Sequence, residues 1–247
     1  MHTAEPQGAN LNRVLGAGLP RWIEVPLALA GLMLVCPILA LASLFIVLTS
    51  SGPVLFRQKR VGRGGKEFVM YKLRSMRQAN SGALYTAAGD PRVTPVGRVL
   101  RKLKLDELPE LWNVVRGEMS LVGPRPELPQ YVNLEDSLWQ FIVQARPGLT
   151  DPVTLRLRNE EQLLAKVDGD RERFYREELQ PYKLLGYVEY LESRNWGTDL
   201  RLLLETAVAA AWPASTQLPT REQISEYVRN NSMRHFEDGP KAECQLQ

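Results

Sequence analysis

Asp106 and Glu107 stand side by side in Arg101-Lys-Leu-Lys-Leu-Asp-Glu-Leu-Pro-Glu-Leu-Trp-Asn-Val-Val-Arg116. A basic run (Arg101, Lys102, Lys104) precedes them. Gly117-Glu-Met-Ser-Leu-Val-Gly-Pro-Arg-Pro126 follows and holds Arg125 between two prolines. An isolated Asp-Glu pair reads as a helix cap. Set between arginines and a Gly-Pro-Arg-Pro turn, it reads instead as chemistry on an anionic, phosphate-bearing substrate. The two cysteines, Cys36 and Cys244, and the two histidines, His2 and His235, lie in the apolar segment or in the tails. Such a set builds neither a disulfide framework nor a zinc site, and it makes Ser-His and Cys-His catalysis improbable. Acid, base or nucleophile work therefore falls to carboxylates or lysines.

The elements that must position the pair follow from periodicity. Leu105, Leu108, Leu111, Trp112 and Val115 recur at helical spacing, which predicts a helix ending near Gly117 with Pro109 in its first turn. That helix would put the two carboxylates at or near its positive end, where anions and phosphate are favoured. Val54–Val61 and Lys66–Arg74, joined by Gly62-Arg-Gly-Gly65, predict a β-hairpin. Residues 75–89 read as a loop. Helices are expected over 135–145, 160–166 and 174–192, then from a Thr198-Asp199 cap to Trp212, and near 222–229.

The chain has 247 residues, a formal net charge of +3 and a pI near 8.9. Its distribution of charge says more than the total. From Arg57 to Lys104 the basic residues are opposed only by Glu67 and Asp90. A block of that kind attracts phosphate groups, an anionic bilayer or nucleic acid.

No charged residue occurs between Val25 and Phe56, and the run Val25–Leu48 is long enough to cross a bilayer. Ala40-Leu-Ala42 resembles a signal cleavage site, but the apolar run continues through Leu48. Cys36-Pro37 divides the run into two arms, and both flanks are basic. The positive-inside rule favours a re-entrant helix-break-helix that enters and leaves by one face, while a kinked single span is the competing course. The expected fold class is α+β, mostly α. It combines this re-entrant hairpin (21–52) with a cytoplasmic helical domain carrying a small β-hairpin (53–213). A flexible arm (1–20) precedes them and a polar tail (214–247) follows.

Phe56-Arg-Gln-Lys-Arg-Val-Gly-Arg63, Tyr71-Lys-Leu-Arg-Ser-Met76, Leu105-Asp-Glu-Leu-Pro109 and Gly117–Pro126 stand in the order and spacing of the bacterial sugar transferases. The chain resembles these small monotopic phosphoglycosyl transferases over about residues 20–210. The resemblance implies transfer of a sugar 1-phosphate from a UDP-sugar to polyprenol (undecaprenyl) phosphate, with Mg²⁺ required and UMP released. It would be the first membrane step of envelope glycan assembly, at the cytoplasmic face of the bacterial inner membrane. By the same resemblance Asp106 is the nucleophile that takes up the phospho-sugar, and Glu107 is tied to Mg²⁺. Lys72, Arg101 and Arg125 fall on the family's substrate-binding positions, and Cys36-Pro37 on its membrane break.

Three departures stand out: Cys36-Pro37 replaces the usual Ser-Pro, Glu24 replaces an aspartate, and Asp151-Pro-Val-Thr154 replaces Gly-aromatic-Gln. The last bears on which sugar is used. The expected partners are the UDP-sugar, polyprenol phosphate and membrane lipid, without nucleic acid; pairing with a second copy is left open. Two rival readings are a non-catalytic membrane adaptor binding anionic lipid and a tethered nucleic-acid binder. The first has no use for carboxylates inside its basic face. The second lacks a recognition motif.

Overall fold

The computed structural model describes residues 17–77, 87–167, 169–212 and 218–236. Most of the expected N-terminal arm, the middle of the 75–89 loop and most of the tail beyond residue 236 lie outside the described residues. Helix α1 (Arg21–Thr49) leads into the antiparallel pair β1 (Leu55–Val61) and β2 (Glu67–Leu73), as the hairpin pattern predicts. Helices α2 (Pro95–Lys102) and α3 (Glu110–Arg116) follow, then β3 (Ser120–Val122), α4 (Ser137–Ile142) and β4 (Gly148–Thr150). The remainder is helical: α5 (Pro152–Arg156), α6 (Glu160–Ala165), α7 (Arg171–Phe174), α8 (Gln180–Ser193), α9 (Trp196–Ala211) and α10 (Arg221–Phe236).

Helix α1 runs through Pro37 as one element, so Cys36 and Pro37 lie inside a continuous helix and not between two. Proline removes one backbone donor, and a long helix tolerates that loss when the rest of its ladder is intact. One stripe of α1 faces the domain along its whole length. Glu24, Ala28, Ala42 and Ile46 are buried, and Leu32, Val35 and Leu39 pack beside them. This spacing of three and four residues is a single helical face. The opposite face exposes Met33, Leu34, Leu41, Leu44, Leu48 and others.

Both ends of α1 are fixed to the same domain. Glu24 is fully buried and accepts from Leu121 N at 3.0 Å and from Arg21 at 3.0 Å. Arg21 in turn donates to Val114 O and to Met119 O at 3.2 Å. At the other end Arg74 donates to Ser51 O at 2.8 Å and Ser50 O at 2.7 Å. A cation there suits the negative end of the helix.

Two further devices position the site. Asn113, buried in α3, accepts from Tyr71 N at 3.2 Å and donates to Val69 O at 2.7 Å, which ties the strand carrying Lys72 to the helix beside the carboxylates. The short parallel pair β3–β4 sets Ser120 against Gly148 and Val122 against Thr150. At its end Gly123 N donates to Thr150 O and Gly148 N to Pro124 O, each at 2.9 Å. A Cβ on Gly148 would meet Gly123 N at 2.1 Å, so only glycine lets the two segments cross. That crossing aims Arg125. A three-residue parallel pair leaves no periodic trace, and it was not among the sequence expectations.

Several helix ends moved. The expected 174–192 helix lies within one uninterrupted helical run from Arg171 to Ser193, in which a π-helical turn over Tyr175–Leu179 joins α7 to α8. Helix α9 is capped by Asn195, in a capping box with Thr198, and not by Thr198-Asp199. Asp199 is instead drawn inward by Arg194 at 2.9 Å, Tyr190 OH at 2.7 Å and Leu19 N at 3.1 Å.

Replacing Asn113 by leucine would leave Tyr71 N–H and Val69 C=O buried without partners. Each such group costs about 1–3 kcal/mol, and about 1 kcal/mol moves the midpoint by about 2–4 °C in a domain of this size. Asn113→Leu is therefore expected to lower the melting temperature by several degrees, while Trp112→Ala on the exposed face of α3 leaves it nearly unchanged. Equal midpoints for the two variants would remove Asn113 from this role.

Candidate active site

The carboxylate pair sits on its own short 3₁₀ turn, Leu105–Glu107, and not in the following helix. Lys104 adopts φ 58°, the one non-glycine residue with positive φ among those described, and this reversal separates the turn from α2. Such a conformation is costly for a side chain with a Cβ, and it is a common mark of a functional segment. Pro109 then caps α3, which starts only at Glu110 and ends at Gly117 with φ 82°. Pro109 and Gly117 sit where the sequence predicts. Asp106 and Glu107 precede the helix, and the charges nearest to them come from side chains.

Those charges are close. Lys72 Nζ donates to Glu107 Oε1 at 3.0 Å, and Arg125 donates to the same oxygen. Both cations also reach Glu110 Oε1, at 3.3 and 3.6 Å. Burial opposes ionisation of Glu107, but Arg125, Lys72 and Lys104 outweigh it and hold the carboxyl well below the usual range. Asp106 goes the other way. Burial raises its pKa, the charge on Glu107 adds to the rise, and Lys72, Arg101 and Lys104 oppose it. Asp106 Oδ1 is buried without a hydrogen-bond partner. The environment thus splits two adjacent carboxyls into a permanently charged one and a poised one.

All five predicted site residues, Lys72, Arg101, Asp106, Glu107 and Arg125, line one cavity of about 1320 Å³. Arg101 is delivered by α2, whose Gly97 packs so tightly on Ser75 that a Cβ would sit 1.9 Å from its carbonyl oxygen. Arg101 pairs with Glu161 of α6 through both Nε and Nη2. Cys36 and Pro37 are exposed and do not line the cavity, whereas Val35 and Ile38 on either side do.

Three residues at this site were missed from sequence. Glu110 is 0% exposed, and neither of its oxygens has a hydrogen bond. Its place one helical turn after Asp106 and Glu107 was the available signal. Arg158 lines the cavity with Nη2 buried and unpartnered; burial lowers its pKa and Glu107 opposes the shift. Glu161 completes the set. Nothing in the local sequence marks Arg158 or Glu161, which lie more than 50 residues from the carboxylate pair.

In chemical terms the cavity offers a poised carboxylate with one free oxygen, a second carboxylate held ionised, and several cations around them. That combination suits a nucleophile acting on a diphosphate whose charge the cations offset.

Comparison with known proteins agrees with this chemistry. The bacterial sugar transferase family model matches residues 16–212. A Bacillus subtilis (strain 168) protein, provisionally named an undecaprenyl-phosphate N-acetylgalactosaminyl 1-phosphate transferase, is 45% identical over 115 residues, covering 46% of this chain and 64% of that one. The UDP-glucose:undecaprenyl-phosphate glucose-1-phosphate transferase of Caulobacter vibrioides is 39% identical over 204 residues, or 81% of this chain and 72% of that one. An Aeromonas hydrophila UDP-N-acetylgalactosamine-undecaprenyl-phosphate N-acetylgalactosaminephosphotransferase is 41% identical over 60% of this chain and 37% of its own. The chain thus spans from about a third to nearly three quarters of the length of these relatives.

Glu110 supplies a test of the electrostatics. Burial raises its pKa against the pull of Lys72 and Arg125. A carboxyl raised in the folded state favours folding below its unfolded pKa and loses that contribution as pH rises through the folded value. Glu110→Gln should therefore melt progressively higher than wild type as pH is taken from about 5 to 8. A difference that runs the opposite way would mean that the ion pairs outweigh burial.

Proposed function

The chain belongs to the bacterial sugar transferase family, and from that premise we propose that it moves a sugar 1-phosphate from a UDP-sugar to polyprenol phosphate. The observation that carries this reading is Asp106, nearly buried in the cation-lined cavity with one oxygen unpartnered. In the proposed first half, a carboxylate oxygen of Asp106 attacks the sugar-bearing phosphorus. The bridging P–O bond to the other phosphorus breaks, and UMP leaves with that electron pair. In the second half a phosphate oxygen of polyprenol phosphate attacks the same phosphorus, which regenerates Asp106 and yields polyprenol diphospho-sugar. An acyl phosphate is labile enough for such a two-step exchange.

Lys72 and Arg125 are the cations that would meet the diphosphate, and Glu107 holds both in place beforehand. Arg101, fixed by Glu161, and Arg158 face the same space. The residues present fit a magnesium ion in one way. The hydrogen bonds to Glu107 fall on Oε1, which leaves Oε2 as a ligand, and Mg²⁺ commonly takes one or two carboxylates with substrate oxygens completing its shell. Among the described residues no three His, Cys, Asp or Glu side chains form a metal cage, consistent with such a substrate-completed site. When bound, the ion would offset charge on the diphosphate and on the departing UMP.

The membrane reading rests on α1, which is long and apolar enough to cross a bilayer. At 1.5 Å per residue a straight helix of 29 residues is about 43 Å long, more than the hydrocarbon thickness of about 30 Å. Packing of α1 on the domain near both of its ends supports a course in which the unbroken helix bends at Pro37 and returns to one face, since a straight span would carry the domain into the lipid. Leu200, Leu204 and Val208 form an exposed stripe on α9, with Trp196 exposed at its start and Trp212 just past its end, and suit an in-plane contact with the same interface. Val35 and Ile38 of α1 line the same cavity as Asp106, and an amphiphilic acceptor would reach Asp106 along that wall.

Incubation with a UDP-sugar and Mg²⁺ without acceptor should release UMP stoichiometrically and add one phospho-sugar mass to the peptide containing Asp106. Asp106→Asn should abolish both signals, and Glu107→Gln should weaken them in a way that extra Mg²⁺ partly restores. UMP release that strictly requires the acceptor would leave direct transfer in place of the covalent route. For topology, cysteines introduced near positions 15 and 60 should label from the same side of sealed inverted vesicles. Labelling from opposite sides would replace the re-entrant course with a span.

A further inference from the structure

A second concentration of positive charge lies away from the catalytic cavity, where the start of α1 meets the start of α9. Arg63, Arg146 and Arg194 line a small polar cavity of about 50 Å³, closed by the backbone of Gly18 and Leu19 and by Ser120 and Gln144. A single water needs about 10–15 Å³ measured in this way, so the space admits something larger. No carboxylate lines it.

The surrounding charges do not balance. Arg194 is neutralised by Asp199 at 2.9 Å, and the nearby Arg21 by Glu24 at 3.0 Å. Arg63 donates only to a carbonyl, Gln144 O, at 3.1 Å. Arg146 makes no hydrogen bond or ion pair among the described residues, although it is half-buried. Burial lowers its pKa, as do the guanidiniums of Arg21, Arg63 and Arg194, with Glu24 opposing. Arg63, exposed on its turn, and half-buried Arg146 thus remain without a carboxylate partner around a polar cavity, an excess of positive charge that attracts an anion.

The wall is also built with care. A Cβ on Gly18 would lie 2.2 Å from the Arg194 guanidinium carbon, so a side chain there would displace the arginine head from the cavity wall. Leu19 N donates to Asp199 Oδ2, which fixes the crossing.

We propose that Arg63, Arg146 and Arg194 form a binding site for a phosphate group, distinct from the catalytic cavity. Planar guanidiniums recognise phosphate oxygens in pairs, and two free ones match its one to two negative charges. The position favours a phosphate presented by lipid. Trp22 is 72% exposed at the start of α1 and Trp196 48% exposed at the start of α9, so interfacial aromatics sit at the beginning of each helix that leads to the cavity. The phosphate site stands on its own geometry; its supply by a lipid headgroup rests on the membrane reading given above.

The test uses the full chain purified in detergent micelles at fixed ionic strength, followed by thermal melting. The probes are phosphatidylglycerol, phosphatidylcholine and inorganic phosphate, each against chloride alone. Phosphatidylglycerol should raise the wild-type midpoint by about 3 °C or more, with phosphatidylcholine much weaker. Arg146→Gln and Arg63→Gln should each lose at least half of that rise while keeping UMP release. Should Arg146→Gln fail to fold, Arg63→Gln on the exposed turn carries the same comparison. A rise with inorganic phosphate that both substitutions reduce, without one from phosphatidylglycerol, keeps the site and assigns it to free phosphate. No rise with either probe, or a rise that survives both substitutions, overturns the proposal. Loss of Asp106 labelling alone would count against the catalytic reading and leave this one intact.

Discussion

Keeping three carboxylates beside two cations, largely out of water, is the constraint on which the rest of the structure depends. Asp106, Glu107 and Glu110 share the neighbourhood of Lys72 and Arg125. Removing an ion from water costs several kcal/mol even after relaxation, so each charge must be met by a partner in fixed geometry. Every partner arrives from a different element. Lys72 comes on β2, tied down through Asn113. Arg125 comes from the crossing of Gly123 and Gly148, and Arg101 from a helix that only Gly97 lets approach Ser75. Loss of any one support leaves a buried charge without its answer, which is why the glycines and Asn113 matter as much as the charged residues they place.

The same balance divides the labour between two neighbours in sequence. Glu107 receives both cations on one oxygen and stays ionised, whereas Asp106 receives none directly and is held nearer to protonation. The poised carboxyl keeps an oxygen free of hydrogen bonds, which a nucleophile needs, and the charged one organises the cations that the substrate will meet. The left-handed Lys104 separates this turn from the helix before it. The two arginine-rich regions differ in kind: carboxylates line the catalytic cavity among its cations, while none lines the small cavity of Arg63 and Arg146.

On the proposed reading, attachment to lipid and catalysis are joined through α1. Its buried stripe packs on the domain, its exposed side is apolar, and Val35 and Ile38, on either side of Pro37, line the catalytic cavity. The exposed stripe on α9 adds a second apolar surface. In the proposed reaction a water-soluble nucleotide sugar and a lipid-borne phosphate would meet at such a boundary, and the fold would hold the charged cavity there.

The sequence by itself determined the features that local periodicity and composition encode. The apolar run, the β-hairpin, and Pro109 at the start and Gly117 at the end of α3 were legible because each depends on neighbours within a few positions; the five motif residues were picked out by resemblance to a family, and the fold brings them to one cavity. Tertiary structure decided the rest. Whether α1 breaks at Pro37 is a matter of packing along its whole length, and the helix is continuous here. Asp106 and Glu107 fell on a separate turn because Lys104 reverses the chain, a conformation that lysine does not announce. Asp199 left the cap of α9 to Asn195 because Arg194, Tyr190 and Leu19 claimed it from within. Glu110, Arg158, Glu161 and the unpaired Arg146 acquired their meaning only through residues far away in the chain. A side chain's charge can be read from its letter, but its burial and its partner are properties of the folded whole.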